Sequence, residues 1–187
     1  MVSRQAVPEQ VVAQVRGSLG TSRTACAGTA AAFLLRQLAD KTGLPHSPTA
    51  ERLLFTLGQA NNGADVDRLG HWFDANTPTL RQLGLRVVAR RVAFKTPWVL
   101  DWVGSGNGFR GAVLQTNQYK LYAGRLPYAP RHHAVALAVD GEGRKQRVAM
   151  VDPWPGSEPM AKPPDELERA HRASKYGTVL IHWTGWR

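Results

Sequence analysis

Three residues of this chain combine a nucleophile, a base and an acid: Cys26, His133 and Asp152. A cysteine attacks as its thiolate, so a catalytic cysteine needs a lowered pKa. The positive end of a helix lowers it, and so does a nearby imidazolium. A carboxylate then fixes the tautomer and orientation of the imidazole. This set of residue types favours acyl transfer through a cysteine nucleophile, provided that the fold brings the three together.

The thiol lies where a helix is predicted to begin. Cys26 is the only cysteine of the chain, which excludes an internal disulfide and zinc sites built from several cysteines. Small residues surround it, Thr24 is a candidate cap, and the apolar spacing that follows predicts a helix over residues 26–41 that Gly43 ends. The alternative interpretation is a small buried core residue, since free cysteine is often buried. The position at a helix start favours the reactive interpretation.

The imidazole enters an apolar strand. His132 and His133 precede a run that predicts a strand over residues 133–139. Side chains alternate along a strand, so only one of the two can face Cys26. The alternative is a satisfied core or edge histidine. The four other histidines lie in loops or on amphipathic segments and are interpreted as surface or interface residues: His46, His71, His171 and His182.

The carboxylate follows the next strand. The turn at residues 140–143 predicts that a strand over 147–151 returns antiparallel to the strand over 133–139. Asp152 then lies at the end of the sheet where His133 begins. The alternative is a plain turn, since Asp before Pro153 is a common turn element.

The elements that must position these residues change type near residue 85. Helical spacing predominates before it and strand-like runs after it, so we expect an α+β fold, with a helical half packed on an antiparallel sheet. We expect a single catalytic domain over residues 1–187, helical from about 8 to 84 and sheet-forming from about 85 to 187. The further predicted helices cover residues 8–17, 47–57, 63–74, 77–84 and 163–172; the further predicted strands cover 85–92, 97–103, 111–115 and 178–183; residues 104–108 form a glycine-rich loop.

The charge is strongly positive but dispersed. The net charge is +10, from 24 Lys and Arg against 14 Asp and Glu. Such a balance favours anionic partners, yet the basic stretches lack the interleaved aromatics of a nucleic-acid platform, so we do not expect nucleic acid. No apolar stretch is long enough for a membrane span, and residues 1–10 lack the profile of a signal peptide.

Two segments carry a family resemblance. Residues 133–139 read His-Ala-Val-Ala-Leu-Ala-Val, and residues 148–156 read Val-Ala-Met-Val-Asp-Pro-Trp-Pro-Gly. They resemble the histidine strand and the Asp-Pro-Trp strand end of papain-like cysteine peptidases of the bacteriocin-processing and plant-pathogen effector types. The cysteine followed by a small-residue, leucine-rich helix looks like that group too, and the resemblance spans residues 20 to 160.

The resemblance implies a papain-like fold and a role for each residue. It makes Cys26 the nucleophile, His133 the general acid/base and Asp152 the orienting residue, with no cofactor and no metal. Relatives carry a glutamine about six residues before the cysteine, whose amide stabilises the oxyanion. This chain has Gly20 there, so Ser22 and Thr24 are the candidate oxyanion donors; His132 and Trp154 are candidates for the cleft wall.

The resemblance also implies a context, and two other functions stay open. It implies a thiol protease acting on a protein or peptide, with deamidation and transglutaminase-type transfer open to the same triad. A bacterial effector or virulence toxin would be secreted or delivered into a target cell and guarded by an inhibitor or immunity protein; a cytoplasmic enzyme is equally compatible. The alternative is a catalytically silent basic module that binds an anionic partner. A metal site of His132, His133 and Asp152 is disfavoured, because adjacent strand residues diverge.

Overall fold

The fold is α+β, with five helices and a five-stranded sheet among the residues described here. The computed structural model describes residues 26–44, 66–93, 96–122, 133–141, 147–153, 158–174 and 177–184. Its elements, in chain order, are α1 Cys26–Thr42, α2 Val66–Gln82, β1 Val87–Val92, α3 Thr96–Gly104, β2 Arg110–Thr116, α4 Gln118–Leu121, β3 His133–Asp140, β4 Arg147–Val151, α5 Pro164–Arg172 and β5 Thr178–Trp183.

The sheet is antiparallel throughout and has the strand order β1-β5-β2-β3-β4. Strand β2 lies in the middle, paired with β3 on one side and β5 on the other. Its last residue, Thr116, pairs with His133, the first residue of β3. At that same end, β4 finishes at Val151, which pairs with Ala136. The ends of β2 and β4 and the start of β3 therefore converge at one edge of the sheet.

Helices cover both faces of the sheet, and the alternation of side chains along the strands assigns each face its own core. On one face, α1 and α2 bury residues such as Leu35 and Phe73 against Val113 and Ala136. On the other, α3 and α5 bury residues such as Val103 and Leu167 against neighbours that include Leu137. Strands covered on both sides read as continuous apolar runs. That explains the unbroken apolar sequence of β3, six of whose residues are buried.

The strand predicted over residues 97–103 is wrong, because this segment is helix α3. Val99 and Val103, four residues apart, are both fully buried, whereas Trp98 is exposed. Burial of a valine stabilises by about 1.5–3 kcal/mol, which exceeds the fraction of a kcal/mol by which valine disfavours a helix. Pro97 is tolerated because the first helical turn leaves its N–H groups without intrahelical acceptors.

The two helices predicted over residues 63–74 and 77–84 are wrong as separate elements, because α2 runs through Pro78. An interior proline removes a helical donor and crowds the preceding turn. The side chains of Asn76 and Thr77 donate to the carbonyl oxygens of Trp72 and Phe73, each at 2.8 Å. These bonds add side-chain donors to the turn that precedes the proline, and the helix continues to Gln82.

The remaining predicted elements within the described residues are confirmed: the helices begun by Cys26 and near Pro163, the strands of the sheet, and the β3–β4 hairpin. The helices predicted over residues 8–17 and 47–57 lie outside the described residues, and the single catalytic domain stays a prediction. None of the helices in the described part of the chain is long and apolar enough to cross a membrane.

Candidate active site

The thiol of Cys26 lies at the first residue of α1, against the start of β3. The backbone N–H of Ala134 donates to Cys26 Sγ at 3.3 Å. The next residues of the helix, Ala27, Gly28 and Thr29, are buried, so the helix start is held against the sheet by small side chains. Cys26 itself is only half-buried. The sheet therefore fixes the position of the sulfur in a residue that is not fully enclosed.

His133 joins the thiol to a carboxylate. Its Nε2–H donates to Asp152 Oδ1 at 3.0 Å, and its side chain also hydrogen-bonds with Cys26. Because Asp152 occupies Nε2, Nδ1 is the ring nitrogen available to the sulfur. Both His133 and Asp152 are buried, at 5% and 3% exposure. The three residues thus form a continuous chain of polar contacts, from a half-buried thiol to a buried acid.

This arrangement shifts the pKa of the thiol downward. Burial by itself raises the pKa of Cys26, since it disfavours the charged thiolate. The hydrogen bond and positive charge of His133, with the N–H groups of Ala134 and Ala27, outweigh burial and hold the pKa below its ordinary value. A half-buried cysteine in these surroundings is poised to be a nucleophile.

The pKa of His133 shifts in the opposite direction. Burial alone lowers the pKa of an imidazole, but the hydrogen bonds and charges of Asp152 and Cys26 raise that of His133 to about 9. An imidazolium next to a thiolate is therefore favoured at neutral pH. The two groups titrate as a pair, because each stabilises the charged form of the other.

A side-chain hydrogen bond from the last residue of β2 fixes the backbone of His133. Thr116 Oγ1 donates to His133 O at 2.8 Å. One residue earlier, Gln115 O accepts from His171 Nδ1 at 2.8 Å and from Ser174 Oγ at 3.0 Å. The end of β2 is thus tied both to the site and to the region around helix α5.

One residue that sequence reasoning missed contacts the carboxylate. The hydroxyl of Tyr122 donates to Asp152 Oδ2, while Oδ1 accepts from His133. Tyr122 directly follows helix α4, thirty residues before Asp152. No motif marked it, since its contact with Asp152 exists only once residues thirty positions apart are brought together in the folded chain.

The structure brings Cys26, His133 and Asp152 together, and it leaves four other predicted site residues undescribed. The oxyanion candidates Ser22 and Thr24 lie outside the described residues. The cleft candidates His132 and Trp154 do as well, so their predicted roles stay predictions.

One of the other histidine interpretations is wrong. His171 is buried rather than a surface residue, because it donates to Gln115 O in the core beneath α5. His71 is exposed and His182 is half-buried, whereas His46 lies outside the described residues. Within the described ranges, no group of three or more His, Cys, Asp or Glu side chains is arranged to hold a metal ion.

Comparison with protein-family models, with curated proteins and with solved structures found no match to this chain. The geometry and electrostatics of the site are therefore the basis for assigning a function to this protein.

Proposed function

We propose that this protein is a papain-like cysteine hydrolase that cleaves or transfers an amide bond through a thioester on Cys26. The observation that carries the proposal is the chain of contacts from Cys26 through His133 to Asp152. It supplies a nucleophile with a lowered pKa, a base with a raised pKa, and a carboxylate that orients the base.

The reaction follows from where the protons lie. The Cys26 proton moves to His133, and the thiolate adds to the carbonyl carbon of the amide. The tetrahedral intermediate collapses when the imidazolium of His133 gives its proton to the leaving amine, which forms the thioester. His133 then takes a proton from water, the hydroxide displaces the Cys26 thiolate, and a carboxylic acid is released. If a second amine replaces water, the result is transamidation.

The contacts of the Cys26 sulfur also bear on how the substrate carbonyl would bind. The negative charge of the intermediate needs donors, and backbone N–H groups of a helix start are suitable ones. The N–H of Ala134 already points at Cys26 Sγ and stabilises the thiolate before attack and after release. We propose that the substrate carbonyl reaches Cys26 through the part of this residue that is open to solvent.

The context is proposed on the resemblance alone. A protein or peptide would be the substrate, a bacterial effector or toxin the setting, and an inhibitor or immunity protein a partner. The net charge of +10 favours an acidic substrate or a target on an anionic surface.

The activity test uses a peptide library treated with the protein and analysed by mass spectrometry. New peptide termini indicate proteolysis, a gain of about one dalton at glutamine indicates deamidation, and addition of a supplied amine indicates transfer. Cys26→Ala, which removes the sulfur and little else, is the matched control. A library unchanged by the parent protein, with a thiol of ordinary reactivity, would leave the basic binding module as the working function.

A further inference from the structure

Asp152 is held by a hydroxyl as well as by the imidazole. One carboxylate oxygen accepts from His133 Nε2 and the other from the phenol of Tyr122, so the carboxylate plane is fixed from two sides. Asp152 is 3% exposed. A buried carboxylate is costly unless its oxygens accept hydrogen bonds. The hydroxyl of Tyr122 therefore favours the charged form of the residue that orients the base.

Tyr122 is itself fixed by its surroundings. Its backbone N–H donates to Gln118 O at 3.0 Å, which closes the end of α4. The start of α4 is capped by Asn117 Oδ1, which accepts from Lys120 N at 3.0 Å, and Asn117 N donates to Ala170 O at 2.8 Å. The short helix is thus attached to α5 and presents the phenol in one position.

The ammonium group of a lysine lies over the ring of Tyr122. Lys162 Nζ donates to Leu121 O at 3.0 Å and lies 5.4 Å from the centre of the Tyr122 ring. A cation over an aromatic face is attracted by the ring quadrupole. Lys162 is paired in turn with Glu166 at 3.3 Å, so its charge is partly balanced.

The phenol remains a donor over the pH range of the reaction. Burial and the negative charge of Asp152 raise the pKa of Tyr122 well above its ordinary value. The charged groups around it are Asp152 on one side and the Lys162–Glu166 pair on the other, with His133 and Cys26 beyond the carboxylate. Neither neighbour removes the hydroxyl proton near neutral pH.

We propose that Tyr122 is a positioning residue of this site, which fixes the Asp152 carboxylate and keeps it charged so that it orients His133 toward Cys26. The inference rests on the proposed cysteine hydrolase. Tyr122 touches neither the thiol nor the reacting carbonyl, and it acts through Asp152 alone.

Tyr122→Phe tests this inference, because it removes the hydroxyl and keeps the ring. Its matched control is Tyr119→Phe, three residues earlier in helix α4, where the side chain is 53% exposed. The readout is the rate of Cys26 alkylation by iodoacetamide from pH 5 to 9. We expect about a tenfold loss of rate at pH 6 in Tyr122→Phe, the scale of one hydrogen bond to a charged group, and a shift of the profile to higher pH. Tyr119→Phe should match the parent.

The double variant separates positioning from general damage. If Tyr122 acts through Asp152, Tyr122→Phe should lower the rate no further in the Asp152→Asn background. Equal losses in both backgrounds would contradict the inference. A parent thiol of ordinary reactivity would overturn the hydrolase proposal and the inference with it, whereas a reactive parent thiol unaffected by Tyr122→Phe would overturn the inference alone.

A second measurement does not require the Tyr122→Phe variant to fold. The ionisation of Tyr122, followed by NMR of labelled tyrosine, should occur at lower pH in Asp152→Asn than in the parent, because the neighbouring negative charge is lost. Identical titrations in the two proteins would contradict the contact between the phenol and the carboxylate.

Discussion

Two buried histidines near the end of strand β2 have opposite acid–base properties. His171, on α5, donates to the backbone carbonyl of Gln115, and burial lowers its pKa despite that bond. His133, on β3, is also buried, yet its pKa is raised to about 9 because its partners are Asp152 and Cys26. A backbone carbonyl accepts a hydrogen bond but carries no full charge, whereas a carboxylate accepts the bond and also contributes a full negative charge. The charge of the partner, rather than burial, separates the structural histidine from the candidate base.

The largest effect should come from removing each histidine in turn. At pH 6 a thiol with an ordinary pKa near 8.5 is only about 0.3% ionised. His133→Ala should therefore lower Cys26 alkylation at pH 6 by about two orders of magnitude, because the imidazolium is lost. His171→Ala, the matched control, should change the rate by less than about twofold. Equal losses in both variants would contradict the distinction.

The next effect tests whether Asp152 supplies the difference. Asp152→Asn keeps the shape and a hydrogen-bond partner but removes the charge. The NMR titration midpoint of His133 should fall from about 9 toward its ordinary value of about 6.5. The midpoint of His171 should stay where it is. A His133 midpoint that does not move would assign the shift to Cys26 instead.

The two histidines should also affect stability in opposite pH ranges. His171 has a lowered pKa, so the stability of its neutral form is present above about pH 6.5 and lost as pH falls below it. His133 has a raised pKa, so its contribution is present below about pH 6.5 and lost as pH rises through about 9. In the parent protein this loss is hidden, because the folded state keeps a proton on His133 but lacks one on Cys26, so folding changes the number of bound protons little. In Cys26→Ala, the free energy of unfolding measured in urea should therefore decrease as pH rises above about 6.5, by about 1.4 kcal/mol per unit of pKa difference.

His171→Leu isolates the acid side of that comparison. The variant should lose about 1–3 kcal/mol at pH 7, since Gln115 O loses a buried donor. Its free energy of unfolding should also decrease less between pH 7 and 5 than that of the parent, because the variant has no buried imidazole at position 171 whose protonation destabilises the folded state. A parallel decline in both proteins would assign the acid sensitivity to other groups.

The smallest effects should come from the two hydroxyls that hydrogen-bond next to the two histidines. Thr116 donates to His133 O, and Ser174 donates to Gln115 O, which also accepts from His171. Thr116→Val and Ser174→Ala should each cost about 1 kcal/mol in urea unfolding, the net value of one neutral hydrogen bond. Neither should change thiol reactivity by more than about threefold. A larger loss in Thr116→Val would mean that the His133 backbone has to be held more tightly than the side-chain contacts achieve.

Part of the fold could be predicted because its pattern is local. The apolar face of α1, the β3–β4 hairpin and the closing strand β5 follow from periodicity and turn residues that lie within a few positions of each other. Residues 97–103 could not be assigned in this way, since β-branched and aromatic residues fit a strand or a buried helix equally well. The burial of Val99 and Val103 four residues apart resolved it. Pro78 predicts a new helix start for a related reason, because a proline is favoured at the first turn of a helix and only the packing of α2 shows that this one lies inside a longer helix.

The site divides along the same line. The sequence by itself determined the chemical types, since a lone cysteine at a helix start, a histidine entering an apolar strand and an aspartate ending its hairpin partner are all local features. Only the tertiary structure decided which groups lie next to a charged partner. It brought the hydroxyl of Tyr122 into hydrogen-bond contact with Asp152, buried His171 against a neutral carbonyl, and brought His133 into contact with both an acid and a thiol. The physical reason is that a pKa depends on burial and on charges a few ångströms away, and these neighbours are far apart along the chain.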